Sequence, residues 1–212
     1  MKVLIVAATE MEIRPLPASP KERRCNVSRL ITGVGMLATA YSLTRHLQQN
    51  KYDLVIQAGV GGSFDRDIQL GEVVFITSER YGDLGAEDHD NYIDIFEMGL
   101  VSPNIPPYTN GRLNTPLLPI HEKISLRKVS GLTINTVSGN EKTIQLRKER
   151  YNCQMESMEG AAFHYICLQE NVLFAQVRAI SNYVTPRDKS QWKMKEAIIN
   201  LNNWLIDFTE LL

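Results

Sequence analysis

Four short stretches of the chain set chemically capable groups beside small residues. The first, Ala7-Ala8-Thr9-Glu10-Met11-Glu12, puts two carboxylates directly after an apolar run. A carboxylate there can take a proton from water or favour a cationic transition state; it can equally cap a helix, because first-turn acids complement the macrodipole. The second, Gln57-Ala58-Gly59-Val60-Gly61-Gly62-Ser63, carries three glycines that let a backbone approach a ligand closely. It is neither G-x-G-x-x-G nor a P-loop, so it gives no support to a dinucleotide or nucleoside triphosphate cofactor, and a tight turn would use the same glycines. The third, Ser157-Met158-Glu159-Gly160-Ala161-Ala162, opens a helical pattern with an acid, and the fourth, Arg178-Ala179-Ile180-Ser181-Asn182, ends an apolar run in an uncharged amide. Glu159 alone fits a first-turn acid and Asn182 alone a turn former. Their joint occurrence is what argues for a site.

The elements that must hold these groups are legible as alternating short β-branched runs and helical stretches. Val3–Ala8, Arg29–Thr32, Leu54–Ala58, Glu72–Thr77, Leu132–Val137 and Phe174–Ile180 are predicted strands, several nearly continuous in apolar character, as strands covered on both faces should be. Gly35–Gln49, Glu156–Glu170 and Ser190–Leu211, the last with Ser190 as N-cap, are predicted helices. The alternation predicts an α/β fold with a mixed central β-sheet flanked by helices, over a single domain spanning 1–212. Ligands of open α/β sheets bind at the carboxyl ends of strands, which is where the four stretches fall. From Tyr81 to Glu122 the pattern dissolves into acids (Asp83, Glu87, Asp88, Asp90), glycines and five of the nine prolines, as expected of a lid, a binding loop or an interface segment.

Composition narrows the function classes. The 23 basic and 24 acidic residues leave a formal charge of −1, which lacks the footprint of a nucleic-acid binder. Cys25, Cys153 and Cys167 are odd in number and widely spaced, predicting buried free thiols in a reducing compartment; the four histidines show no metal-ligand spacing, so no metal is expected. The apolar start is cut short by Glu10 and Glu12, and no run approaches the ~18 apolar residues of a membrane span. A cytoplasmic protein with no membrane partner is expected.

In order and spacing, Glu12 after a first strand, Ala58-Gly59-Val60-Gly61-Gly62 after a middle one, then Ser157-Met158-Glu159-Gly160-Ala161-Ala162 and Arg178-Ala179-Ile180-Ser181-Asn182 resemble the purine nucleoside phosphorylase and nucleosidase superfamily over essentially the whole chain. Within it the chain is most similar to the futalosine hydrolases of the alternative menaquinone pathway, through Asp83-Leu84-Gly85-Ala86-Glu87-Asp88, Asn135-Thr136-Val137-Ser138-Gly139, Asn182-Tyr183-Val184, Pro186-Arg187-Asp188 and Trp192. The resemblance implies the phosphorylase/hydrolase-like fold, no cofactor, a small-molecule nucleoside substrate, and cleavage of its N-glycosidic bond through a ribosyl oxocarbenium-like transition state. It implies Glu12 as the base toward water, repelling phosphate, and no arginine follows Gly59 until Arg66. It implies Glu159 accepting from ribose hydroxyls with Met158 against the sugar, and Gly61, Gly62, Ser138, Gly139 and Ser181 around the substrate.

Asn182 stands where adenine-releasing nucleosidases carry aspartate. An amide donor suits the N7 and 6-oxo group of hypoxanthine better than the 6-amino group of adenine. The benzoate carboxylate of futalosine calls for a cation, with Arg187 or Arg80 as candidates, and no aromatic stands at Gly139–Thr143 to stack on the base. A homo-oligomer, most often a dimer, is also implied. The rival readings are a methylthioadenosine/adenosylhomocysteine nucleosidase, a purine nucleoside phosphorylase and a non-catalytic nucleoside-binding protein.

Overall fold

A computed structural model describes residues 1–14, 25–89 and 91–212; Asp90 lies outside the described residues. Its central sheet is mixed. β1 (Lys2–Ala7) runs parallel to both β2 (Asn26–Ile31) and β3 (Leu54–Ser63), and β3 runs parallel to β10 (Phe174–Tyr183). β10 pairs antiparallel with β4 (Val73–Tyr81), β4 parallel with β8 (Arg127–Thr133), β8 parallel with β9 (Met155–Ser157), and β9 antiparallel with β3. The pairings therefore close a ring, β3–β10–β4–β8–β9–β3, from which β1 and β2 extend as a wing.

The continuous apolar runs are explained by cover on both faces. Val3, Ile5, Leu54, Ile56, Val177 and Ala179 pack with Ala197, Leu201, Leu205 and Phe208 of α5 (Met194–Leu211). On the opposite face Leu4, Val6, Val55 and Phe174 meet Leu43 and Leu47 of α2 (Met36–Gln49) and Phe163 and Cys167 of α4 (Gly160–Gln169). Full burial of such side chains stabilises the fold by about 1.5–3 kcal/mol each. Cys25, Cys153 and Cys167 are free and buried. Among the described residues no helix is long and apolar enough to cross a membrane, and no group of three or more His, Cys, Asp and Glu is placed to hold a metal ion.

Several predicted boundaries need correction. The helix expected over Glu156–Glu170 starts only at Gly160; Met155–Ser157 is β9, because these residues are needed to bridge β3 and β8. The strand expected over Leu132–Val137 ends at Thr133, and the rest is loop fixed by Asp83, whose carboxylate accepts from the Asn135 N–H (2.6 Å), the Asn135 amide (3.1 Å) and the Thr136 N–H (3.3 Å). Ser190 caps no long helix: it sits in a 3-10 turn, Lys189–Gln191, where Asp188 accepts its N–H, and α5 begins at Met194. A helix absent from the sequence reading, α3 (Glu141–Tyr151), is too polar to show a stripe and is set by its Asn140 cap, which accepts from the Thr143 N–H at 2.9 Å. The four-residue α1 (Glu10–Ile13) follows β1. The Tyr81–Glu122 segment is structured rather than open: it holds a hairpin of β5 (Gly85–Asp88) and β6 (Asn91–Asp94), then β7 (Leu113–Asn114) paired to β4, then a 3-10 turn over Pro119–Lys123.

Candidate active site

The carboxyl ends of β1, β3 and β10 open into a cleft of about 390 Å³, in the size range of small-molecule sites. Glu12, Gly61, Gly62, Ser138, Met158, Glu159, Ser181, Asn182 and Arg187 all line it. Gly139 does not; its carbonyl instead accepts from the Arg187 N–H at 3.4 Å, joining two loops at the rim. Arg80 is elsewhere, in a depression with Asp94, Phe96 and Arg150, and it donates to the Asn110 carbonyl, so it is no candidate for meeting a ligand in the cleft. No described residue of Tyr81–Glu122 lines the cleft of the single chain.

Glu12 caps its own helix and reaches across to β3. Its Oε2 accepts from the Thr9 N–H (2.9 Å) and the Thr9 hydroxyl (3.0 Å), the local capping pattern, while Oε1 accepts from the Val60 N–H at 3.1 Å. The carboxylate is thereby turned from α1 onto β3, which continues as strand to Ser63 where the sequence reading ended it at Ala58. Gly59 is required there: a Cβ would stand 2.7 Å from Glu12 Oε1 and 2.4 Å from Arg178 Nη1.

Glu159, at the N-terminus of α4, is held by two elements remote in sequence. Oε1 accepts from the Gly35 N–H at 3.0 Å, where Gly35 at φ +91° opens α2, and Oε2 pairs with Arg178 Nη2 at 3.3 Å. Arg178 is 1% exposed and also donates to Gln57 Oε1 and the Val60 carbonyl, so a buried guanidinium links Glu159 to the strand that carries the glycines. The ion pair is enclosed, and loss of either partner leaves an uncompensated buried charge, a cost of about 3–5 kcal/mol. Arg178 was missed as a site-organising residue, although an arginine inside an otherwise apolar strand is itself a signal.

At the other end of the cleft Ser181 Oγ stands 2.8 Å from Asn182 Oδ1. The hydroxyl also lies 3.2 Å from the Gly61 carbonyl, one amide hydrogen of Asn182 is held by the Tyr183 carbonyl (3.1 Å), and the side chain lines the cleft with its second N–H given no partner among the described residues. Glu156, on β9, lines the same end. It was not recognised from sequence, because the helical reading of Glu156–Glu170 placed it in a first turn. Burial pushes its carboxyl above the usual range, against the Ser138 hydrogen bonds and the Arg147 guanidinium that hold it down. Trp192 and Tyr183 bring aromatic surface to the cleft, and the Arg187 guanidinium lies 5.5 Å over the Trp192 ring.

The family model of the phosphorylase superfamily matches residues 21–212. The chain belongs to that superfamily. A relative named futalosine hydrolase from Streptomyces coelicolor is 32% identical over 182 residues, covering 82% of this chain and 74% of that protein. A 5′-methylthioadenosine/S-adenosylhomocysteine nucleosidase from Glaesserella parasuis is 27% identical over 202 residues, covering 86% of each. Among solved structures, the nucleosidase of that name from Neisseria meningitidis, in complex with methylthio-immucillin-A, superposes with a TM-score of 0.82 over 100% of this chain and 99% of that one, at 16% identity. The fold is that of the superfamily, and its named relatives are hydrolases and nucleosidases.

Proposed function

We propose that this chain hydrolyses the N-glycosidic bond of futalosine, releasing hypoxanthine and the ribosyl remainder. The observation that carries the reading is one cleft lined by carboxylates at Glu12 and Glu159 and by an amide, Asn182, with Glu12 lying against Gly59 of β3 and Asn182 against Gly62. The 32% identity to a futalosine hydrolase supports the same substrate.

In this reading the C1′–N9 bond breaks with its electron pair passing to the purine. Asn182 stabilises the developing charge by donating to N7, and the base takes its proton from solvent, since an amide has none to give. Water attacks C1′ and gives its proton to Glu12, whose charge also favours the cationic sugar. Glu159 accepts from ribose hydroxyls through short, charge-assisted bonds while Met158 packs on the sugar. Gly61, Gly62, Ser138 and Ser181 complete the walls, and Arg187, held over Trp192 at the rim, meets the carboxylate of the 5′ substituent. A 6-aminopurine would oppose its own amino donors to the Asn182 N–H, which disfavours methylthioadenosine.

A homo-oligomer, as a dimer, belongs to the same reading. Leu37 and Tyr41 lie one turn apart at the start of α2, Val34 stands in the loop just before it, the three are 86%, 65% and 56% exposed, and Val34 also lines the cleft. Hydrolysis is tested by running the reaction in ¹⁸O-labelled water with phosphate present: label is expected at C1′ of the released ribosyl product, and a sugar phosphate in its place would make the chain a phosphorylase.

A further inference from the structure

Hypoxanthine presents three polar features on the edge away from the sugar: acceptors at N7 and O6, and a donor at N1–H. Adenine reverses two of them, with a donor at the 6-amino group and an acceptor at N1. Asn182 offers one N–H to this edge and can satisfy N7 or O6, but nothing in an amide donor serves N1–H. A site built for hypoxanthine therefore needs an acceptor beside Asn182, because a buried unpaired donor is expensive.

Glu156 stands in that place. β9 pairs Glu156 directly with Gly62, and a Cβ added to Gly62 would lie 3.2 Å from Asn182 Nδ2 and 3.6 Å from Glu156 Cγ. The two side chains thus flank one glycine, and because a Cβ there would also meet Val184 Cγ2 at 2.9 Å, a glycine is what lets them approach this closely. Glu156 is 6% exposed. Its Oε1 accepts from the Ser138 N–H at 3.1 Å and its Oε2 from the Ser138 hydroxyl at 2.6 Å, which fills two of about four lone-pair positions. Arg147 stands behind, donating to Ser138 Oγ at 2.8 Å, so a guanidinium supports the carboxylate through one hydroxyl. No basic side chain is paired to Glu156 directly at ion-pair distance among the described residues. It is a buried acceptor with unused capacity, aimed at a ligand cleft.

Resting on the proposed cleavage of a 6-oxopurine nucleoside, we infer that the Glu156 carboxylate accepts the N1–H of the base and, with Asn182, selects hypoxanthine over adenine. A carboxylate is suited to this discrimination because it accepts from N1–H and repels the lone pair at N1 of adenine. Clamping Ser138 in place is the structural task it performs at the same time.

The experiment measures binding of free hypoxanthine and adenine by calorimetry to wild type, Glu156→Gln and Ser138→Ala, with futalosine turnover followed separately. Glu156→Gln is expected to lower the hypoxanthine-to-adenine preference by roughly 10- to 100-fold, the value of one charge-assisted hydrogen bond. Ser138→Ala, which frees Oε2 while the Ser138 N–H still holds Oε1 and the charge is kept, is expected to lower that preference by less than Glu156→Gln does. On wild type alone, 1-methylhypoxanthine, which lacks N1–H, is expected to bind at least about tenfold more weakly than hypoxanthine. Equal losses for both bases in Glu156→Gln, or equal binding of hypoxanthine and its 1-methyl derivative, would overturn the inference and leave Glu156 a loop clamp. Wild type that prefers hypoxanthine without turning over futalosine would overturn the proposed reaction and not the assignment of Glu156.

Discussion

Glu12 and Glu159 are both carboxylates lining one cleft, yet their surroundings assign them different work. Glu159 is fixed on both oxygens, one by the Gly35 N–H and one by buried Arg178, a rigid hold that fits the ribose-binding role proposed for it. Among the described residues Glu12 is held by neutral donors, Thr9 and the Val60 N–H, and makes no ion pair, which in the proposed reaction leaves its charge to the attacking water and the cationic sugar. Glu12→Gln keeps the shape and removes the basicity. It is expected to lower kcat for futalosine by roughly 10²- to 10⁴-fold, the usual contribution of a general base, with KM little changed. A steady-state titration of both enzymes decides this, and a loss confined to KM would make Glu12 a binding group.

At the scale of elements, the ends of the strands were the legible part of this protein and the segments between them were not. β1, β3 and β10 announce themselves by apolar runs ending in small or polar residues, and Glu12, the glycines and Asn182 fall where those runs stop. Glu156 and α3 stayed hidden for opposite reasons: β9 is three residues long and merges into the periodicity of α4, while α3 has the charge of a solvated surface and no stripe to find. Arg178 was visible as a residue and not as a role, because its partners Gln57 and Glu159 lie 121 and 19 positions away.

The packing of α4 against β4 and β10 carries a pH dependence of its own. Glu79 of β4 is fully buried, accepting from Thr133 Oγ1 and Gln176 Nε2, and burial raises its carboxyl from 4.5 to about 7. The unfolded chain therefore loses this proton first, and stability falls as pH rises from 4.5 to 7, by about 3 kcal/mol in all. His164 of α4, also buried, has its pKa lowered from 6.5 to about 4, which makes stability rise between pH 4 and 6.5 by an amount of the same size and so masks the trend in the wild type. Comparing wild type with Glu79→Gln by urea denaturation at pH 4.5 and pH 8 cancels the His164 contribution. The variant is expected to gain on wild type as pH rises, and parallel stabilities at both values would contradict a neutral Glu79.

At the scale of the whole molecule, one cleft draws on both layers of helices and the sheet: α1 and β3 hold Glu12, α2 and α4 fix Glu159, and β9 and β10 bring Glu156 and Asn182. The Val34, Leu37 and Tyr41 face borders that cleft and leaves apolar surface uncovered in a single copy. Light scattering is expected to give a dimer for wild type and a monomer for Leu37→Glu; a monomeric wild type would remove the oligomer from the account. The central claim, that this cleft hydrolyses a 6-oxopurine nucleoside, is tested most directly by kcat/KM for futalosine and for methylthioadenosine in phosphate-free buffer. Hypoxanthine release from futalosine, with futalosine favoured over methylthioadenosine, is the expected result. Adenine release from methylthioadenosine at the higher kcat/KM would contradict it and place the chain with the methylthioadenosine nucleosidases.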